Sequence, residues 1–164
     1  MPNNIYPITT EAAITVASNL IYTDRREVVE GYGYDNVLDI AVGAVATPDT
    51  YYFSTPDGKI AAIGGFQSGG QLWMLCTDAI HDSPITFARD IKRMVDSRTE
   101  KLLWNIVDKR NTTHIRLLRF LGFKFLREVI HGPNNLPFIE FCKIQCALQN
   151  QTPTTKEMQK QILV

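Results

Sequence analysis

Leu102-Leu103-Trp104-Asn105-Ile106-Val107-Asp108-Lys109-Arg110-Asn111-Thr112-Thr113-His114-Ile115-Arg116-Leu117-Leu118-Arg119-Phe120-Leu121-Gly122-Phe123-Lys124-Phe125 decides the fold. Residues 102–107 are an apolar run broken by one amide, as a strand covered on both faces requires. Asn111 can accept a hydrogen bond from a backbone N–H two or three residues on and so cap a helix. Ile115, Leu118 and Leu121 then recur at helical spacing, with Leu117 and Phe120 widening the stripe. Arg116 and Arg119 fall on the outer face, Arg119 near the C-terminal end where the dipole favours a cation. Gly122 can take the left-handed conformation that ends a helix, with Phe123 folding back on it. Residues 124–130 resume a strand pattern. A strand–helix–strand unit with a polar helix start beside a strand's C-terminal end is where α/β folds bind ligands.

Working outward, residues 4–8 read as a short first strand, and Thr9 or Thr10 caps a helix with Ala12, Ala13, Val16 and Leu20 as its apolar face. Residues 23–30 are charged and helical, ending at Gly31-Tyr32-Gly33-Tyr34, and residues 35–45 form another helix that Pro48-Asp49 stops. Residues 51–54 and 59–66 are strands joined by the Pro56-Asp57-Gly58 turn. After Gly69-Gly70, residues 71–77 are a third consecutive strand. Ser83 caps the next helix, with Pro84 at its first position and Ile85, Ala88, Ile91, Met94 and Val95 toward the core. Gly132 to Asn135 is a loop before the last strand, residues 136–144. Residues 1–147 make one domain. Residues 148–164 are a polar tail or a short docking helix, with Thr154 and Glu157 as a capping box.

Composition bounds the function. The 164 residues are 45% hydrophobic and 21% charged, as in ordinary globular proteins. Seventeen basic and seventeen acidic residues balance, which argues against nucleic acid or an anionic membrane as partner. Lys109, Arg110, Arg116 and Arg119 read as a solvated helix face or a local basic cluster. No apolar run reaches the ~20 residues of a membrane span, and no signal-peptide layout opens the chain. Cys76, Cys142 and Cys146 are scattered without metal-ligand spacing, so no metal is expected and a reducing cytosol suits them.

Asn111, Ile115, Leu117 and Gly122-Phe123 stand at the spacing of the C-terminal signature of the GNAT acyltransferase superfamily. The wider stretch, with Leu103-Trp104-Asn105 ahead and Asn111-Thr112-Thr113-His114-Ile115-Arg116 following, resembles the acetyltransferase-like proteins of short-tailed bacteriophages, small proteins described as internal virion proteins. The resemblance implies an α/β (α+β) GNAT fold. Such a fold is a six- to seven-stranded, mostly antiparallel mixed sheet with helices on both faces, whose fourth and fifth strands run parallel and splay apart to receive acetyl-coenzyme A. It also implies an amine acceptor, on a host or virion protein or a small molecule, entering beside residues 25–34. A second copy of the chain is a candidate partner, and the expected setting is the cytoplasm of an infected bacterium or the virion.

The resemblance further implies site residues. Asn111 would hold the pantetheine arm, although capping alone explains an asparagine there. Leu75, Cys76 and Thr77, at the end of the splayed strand, would hold the acyl carbonyl; Cys76 reads equally as inert packing. The family's diphosphate turn falls on residues 77–85, where this chain has no glycine and carries Asp78 and Asp82. Ser83 with the N–H groups after it, and protonated His81, are the anion-binding candidates left. The family's tyrosine acid falls on Leu118, which cannot protonate a thiolate. His114, one turn earlier on the same face, is the proton-transfer candidate or a hydrogen-bonded structural histidine. Asn105 either lines the cleft as a catalytic polar group or is paired within the strand. The alternative function is a catalytically degenerate binding module, a virion component or an inhibitor of a host protein.

Overall fold

The computed structural model describes residues 4–145. Along the chain come β1 (Ile5–Pro7), α1 (Thr10–Ser18), α2 (Tyr22–Arg26), a π-helical turn (Glu27–Gly31), α3 (Leu38–Ala46), β2 (Thr50–Ser54), β3 (Ile60–Gln67) and β4 (Gln71–Cys76). A 3₁₀ turn (Asp78–His81), α4 (Pro84–Asp96), β5 (Leu102–Asp108), α5 (Thr112–Phe120), β6 (Lys124–His131) and β7 (Leu136–Ile144) follow. The strands form one mixed sheet in the order β1-β2-β3-β4-β5-β7-β6. Among the described residues only β4 and β5 run parallel in it. This is the expected architecture. The expected boundary after residue 147, the tail helix and Cys146 lie outside the described residues.

Small side chains let the helices sit close on one face. Ala13, Val16 and Ala17 of α1 and Ile40, Ala41 and Ala44 of α3 bury against Ile63 of β3, with Trp73 and Leu75 of β4 packed beside them. On the other face Ile91, Met94 and Val95 of α4 and Leu118 and Leu121 at the end of α5 meet Phe66, Leu103, Val107 and Phe141. The central strands are therefore covered twice, which is why residues 102–107 read as nearly continuous apolar sequence.

Asn111 caps α5 as expected, its Oδ1 accepting from His114 N at 3.2 Å. The other end is a full Schellman closure: Phe123 N donates to Leu118 O and Gly122 N to Arg119 O, with Gly122 at φ +87°. Five local expectations need correction. Ile85 is 66% exposed instead of facing the core, since six residues before Ile91 is 240° around the helix. Ser83 makes no side-chain capping bond, because its φ of −145° and ψ of 61° leave the extended conformation that aims a capping hydroxyl. Phe120 is 50% exposed, since two residues beyond Leu118 is 200° around the helix. The helix predicted over residues 23–30 breaks after Arg26 into a π turn, closed by Tyr32 N donating to Glu27 O. The helix predicted from residue 35 starts at Leu38, whose N–H is taken by Asn36 Oδ1.

β4 and β5 pair through their backbones at one place. Gln71 lies opposite Trp104, and Trp104 N donates to Gly70 O at 3.0 Å. Gly70 has φ +81°, and a Cβ there would fall 2.0 Å from Leu102 O. Gly70→Ala should therefore cost about 2–3 kcal/mol by combining backbone strain with a wedge between the strands. Chemical denaturation measures that cost, and a loss under ~0.5 kcal/mol would contradict the close approach.

Candidate active site

Beyond that one backbone pairing the two parallel strands separate, and side chains satisfy the edge that β5 exposes. Asn105 stands in the fork: its Nδ2 donates to Leu72 O at 2.7 Å, and its Oδ1 accepts from Ile106 N at 2.8 Å and Gln71 Nε2 at 3.2 Å. At the wide end Glu27 Oε2 accepts from Asp108 N at 3.2 Å. On β4, Leu72 O meets Asn105, while Cys76 N donates to Asp24 Oδ2 and Cys76 O accepts from Ile21 N. Alternate residues of an antiparallel strand turn their peptide groups to the same side. Met74, between them, therefore directs its N–H and C=O into the gap.

The gap opens into a cavity of about 350 Å³ that reaches both faces of the sheet. Val28, Tyr32 and Ile40 line it from one face, Ile91, Leu117 and Leu118 from the other, with Met74 and Ile106 at the separated strands. Trp73 also lines it, and its buried Nε1 has no hydrogen-bond partner among the described residues. A buried indole N–H left unpaired is costly, and this one is enclosed where Trp73 packs against the α1 and α3 side chains.

A buried polar cluster forms the wall at the wide end. Asp24 of α2, fully buried, accepts from Cys76 N at 2.7 Å and Asn111 Nδ2 at 2.9 Å, and its Oδ1 lies 3.2 Å from His114 Nε2. Asn111 Nδ2 also donates to Glu27 Oε2 at 2.9 Å. His114 Nε2 lies 3.6 Å from Cys76 Sγ. Burial alone would lower the pKa of His114, but the charge and hydrogen bond of Asp24 outweigh it and hold the imidazole well above its ordinary value. Burial pushes Glu27 up to about 6 against the opposing pull of His114 and Asn111. Burial also raises the Cys76 thiol to about 11, which keeps it protonated near neutrality. The arrangement thus offers a carboxylate that titrates near 6 and a protonated imidazole, both lining one cavity.

Of the residues singled out from sequence, Leu75, Asn105 and His114 line the cavity. Asn111 and Cys76 stand behind its wall, each bonded to Asp24. The bonds of Asn105 hold the fork together. Thr77 donates to Ile60 O and accepts from Ala79 N, which closes the turn after β4. His81 is exposed at the end of that turn, Ser83 follows it, and neither lines the cavity. Asp82 pairs with Lys59 at 2.7 Å. Lys109 pairs with Glu128, and Arg110 with Asp108 and Glu30, so half of the expected basic cluster is neutralised within the fold. Sequence reasoning missed Asp24 and Glu27. The available signal was the i, i+3 spacing of Asp24 and Glu27, which stacks both carboxylates on one helical face.

Comparison with known proteins bears on the fold. A family model described as bacteriophage T7, probable scaffold protein Gp13, matches residues 52–130, just under half of the chain. No curated protein matches. Among solved structures, the ribosomal-protein-alanine N-acetyltransferase of Brucella melitensis superposes with a TM-score of 0.64 at 14% identity, covering 85% of this chain and 98% of that one. The ribosomal-protein-S18-alanine N-acetyltransferase of Escherichia coli gives 0.60 at 13% identity, covering 90% and 97%. The spermidine N-acetyltransferase of Vibrio cholerae, solved in complex with CoA and spermine, gives 0.58 at 10% identity, covering 86% and 94%. The chain has the GNAT fold.

Proposed function

We propose that this chain binds an acyl-coenzyme A thioester, with its pantetheine arm in the gap between β4 and β5, and passes the acyl group to an amine. The observation that carries the reading is the open β4 edge at Met74 beside a cavity walled by Glu27 and His114. Thioester exchange needs an amine freed of its proton, donors at the carbonyl oxygen, and an acid for the departing thiolate. Glu27 takes the proton of an ammonium arriving from the α2–α3 side. Met74 N–H holds the acyl carbonyl. The amine nitrogen joins the carbonyl carbon, the carbon–sulfur bond breaks, His114 gives its proton to the sulfur, and the surplus proton on the nitrogen passes to the vacated imidazole. Asp24 and Asn111 are positioning residues: they hold His114 charged and Glu27 aimed. The fold of solved N-acetyltransferases, one of them holding CoA, supports this reading.

The residues fit the pantetheine arm and not the diphosphate. In the turn after β4, Ala79 N–H is already used by Thr77, Pro84 supplies none, and Asp78 repels an anion. Acetyl-pantetheine should therefore bind within about tenfold of acetyl-coenzyme A, a difference below ~1.4 kcal/mol. Isothermal titration of both ligands measures this, and a hundredfold preference for the coenzyme would show that the turn does hold the diphosphate.

The same turn, Leu118 in the place of an acid, and the match to the phage scaffold-protein family support a second reading. On it the chain is a non-catalytic component of a phage particle or a binder of a host protein that keeps the scaffold alone. Absence of heat with millimolar acetyl-coenzyme A and acetyl-pantetheine, on protein shown to be folded, would reject the transferase and leave this one.

A further inference from the structure

Three side chains from distant parts of the chain converge behind the cavity wall. Asp24 comes from α2, Cys76 from the end of β4 and His114 from the first turn of α5, and their oxygen, sulfur and nitrogen atoms lie within 4.8 Å of one another. His114 Nε2 faces Asp24 Oδ1 at 3.2 Å and Cys76 Sγ at 3.6 Å. The Cys76 thiol also reaches the Asp24 carboxylate, so the three side chains converge on one shared point. A cation at the shared point would satisfy all three. Metal bonds of about 2.0–2.3 Å at tetrahedral angles give ligand separations of about 3.3 Å for nitrogen to oxygen and 3.6 Å for nitrogen to sulfur.

The surroundings complete the requirements of a metal site. Asn111 Nδ2 and Cys76 N–H both bond the Asp24 carboxylate and fix its orientation, the kind of outer support that ligating carboxylates have. His114 lines the cavity, which gives an ion a path from solvent. A thiolate, an imidazole and one carboxylate select a borderline-soft ion over magnesium or calcium.

We propose that Asp24, Cys76 and His114 bind one zinc-class divalent cation in tetrahedral coordination, with the fourth position left for water or a ligand from the cavity. Binding displaces the Cys76 thiol proton and any proton on His114 Nε2 to solvent. The loaded form ties α2, β4 and α5 together, and it takes His114 out of proton transfer. The site does not depend on acyl transfer, because its donors serve either purpose.

Titration of the chelator-stripped full chain with Co²⁺ alone tests the site. The expected result is one equivalent bound at micromolar concentration, with the charge-transfer band of a cobalt–thiolate bond. Zn²⁺ should displace the cobalt and abolish the band. Cys76→Ser and His114→Gln should each weaken Zn²⁺ binding by about tenfold or more. A Cys142→Ser/Cys146→Ser double variant should keep it. Wild-type protein that binds cobalt without the thiolate band, or binds none, overturns the proposal, as does undiminished binding by Cys76→Ser. The wild-type spectrum decides even if a variant fails to fold.

Discussion

Asp24→Ala should remove about 3–5 kcal/mol of folding stability, a large share of the roughly 5–15 kcal/mol that a domain of this kind has. The carboxylate is fully buried, and three groups from three elements converge on it: the Cys76 peptide N–H, the Asn111 amide and the His114 ring. Removing it leaves two buried donors unpaired and an imidazole that must either stay charged without a counter-ion or give up its proton. Asp24→Asn, with the same shape and one acceptor oxygen, should lose less. Asp39→Ala, which removes an exposed carboxylate in the first turn of α3, should stay within about 0.5 kcal/mol of wild type. Urea unfolding of the three variants gives the ranking, and an Asp24→Ala loss as small as that of Asp39→Ala would mean the cluster does not hold the helices to the sheet.

The same unfolding curves should depend on pH in one direction. The folded His114 is raised well above its unfolded value of 6.5, so its contribution is complete below 6.5 and fades as pH climbs through the folded value. Glu27 is also raised, from 4.5 to about 6, so the folded state binds the extra proton between those values and loses about 2 kcal/mol as pH crosses them. Wild-type stability should thus decline from about pH 5 upward, once Asp49, Asp96, Glu100 and Asp108, whose carboxyls the fold holds low, are ionised in both states. In Asp24→Ala the decline above 6.5 should be missing, because the charge that raised His114 has gone.

Local signals made the fold legible. The caps, glycines and apolar spacing of residues 102–125 each act within a few residues, and strand–helix–strand is the arrangement that satisfies them together. The places where reading failed are those where a distant residue decides. Ser83 has a capping hydroxyl that its backbone does not aim, and the helix through Glu27 widens into a π turn that no local preference announces. The site was legible by half. Asn111 and His114 stand out because they sit in an otherwise apolar unit, and Asn105 because it interrupts a strand. Their partners Asp24 and Glu27 lie some eighty residues earlier in a segment already rich in charge, where a buried and a half-buried carboxylate look like two exposed ones. Composition cannot tell which acidic residues a fold will bury.

Glu27→Gln should lower the rate of acyl transfer by about 10²- to 10³-fold while leaving thioester affinity unchanged. Gln keeps an oxygen to accept from Asn111 and Asp108, so the wide end of the gap stays in place and the variant isolates proton transfer. The pH profile separates this role from a structural one. With Glu27 titrating at about 6, wild-type kcat/KM should rise through that value, and it should fall again at alkaline pH as His114 loses its proton. Glu27→Gln should lose the acidic limb and keep the alkaline one; His114→Gln should do the reverse. A base that merely shaped the cavity would change KM and leave both limbs where they are. The limbs are tied to each other through the geometry, since Asn111 bridges Glu27 to the same Asp24 that holds His114 charged. Asn111→Ala should consequently move both limbs together, Glu27 losing a donor to its carboxylate and His114 losing the alignment of its counter-ion. A profile in which Asn111→Ala shifts one limb only would show that the base and the acid work as separate groups rather than as the two ends of one buried chain.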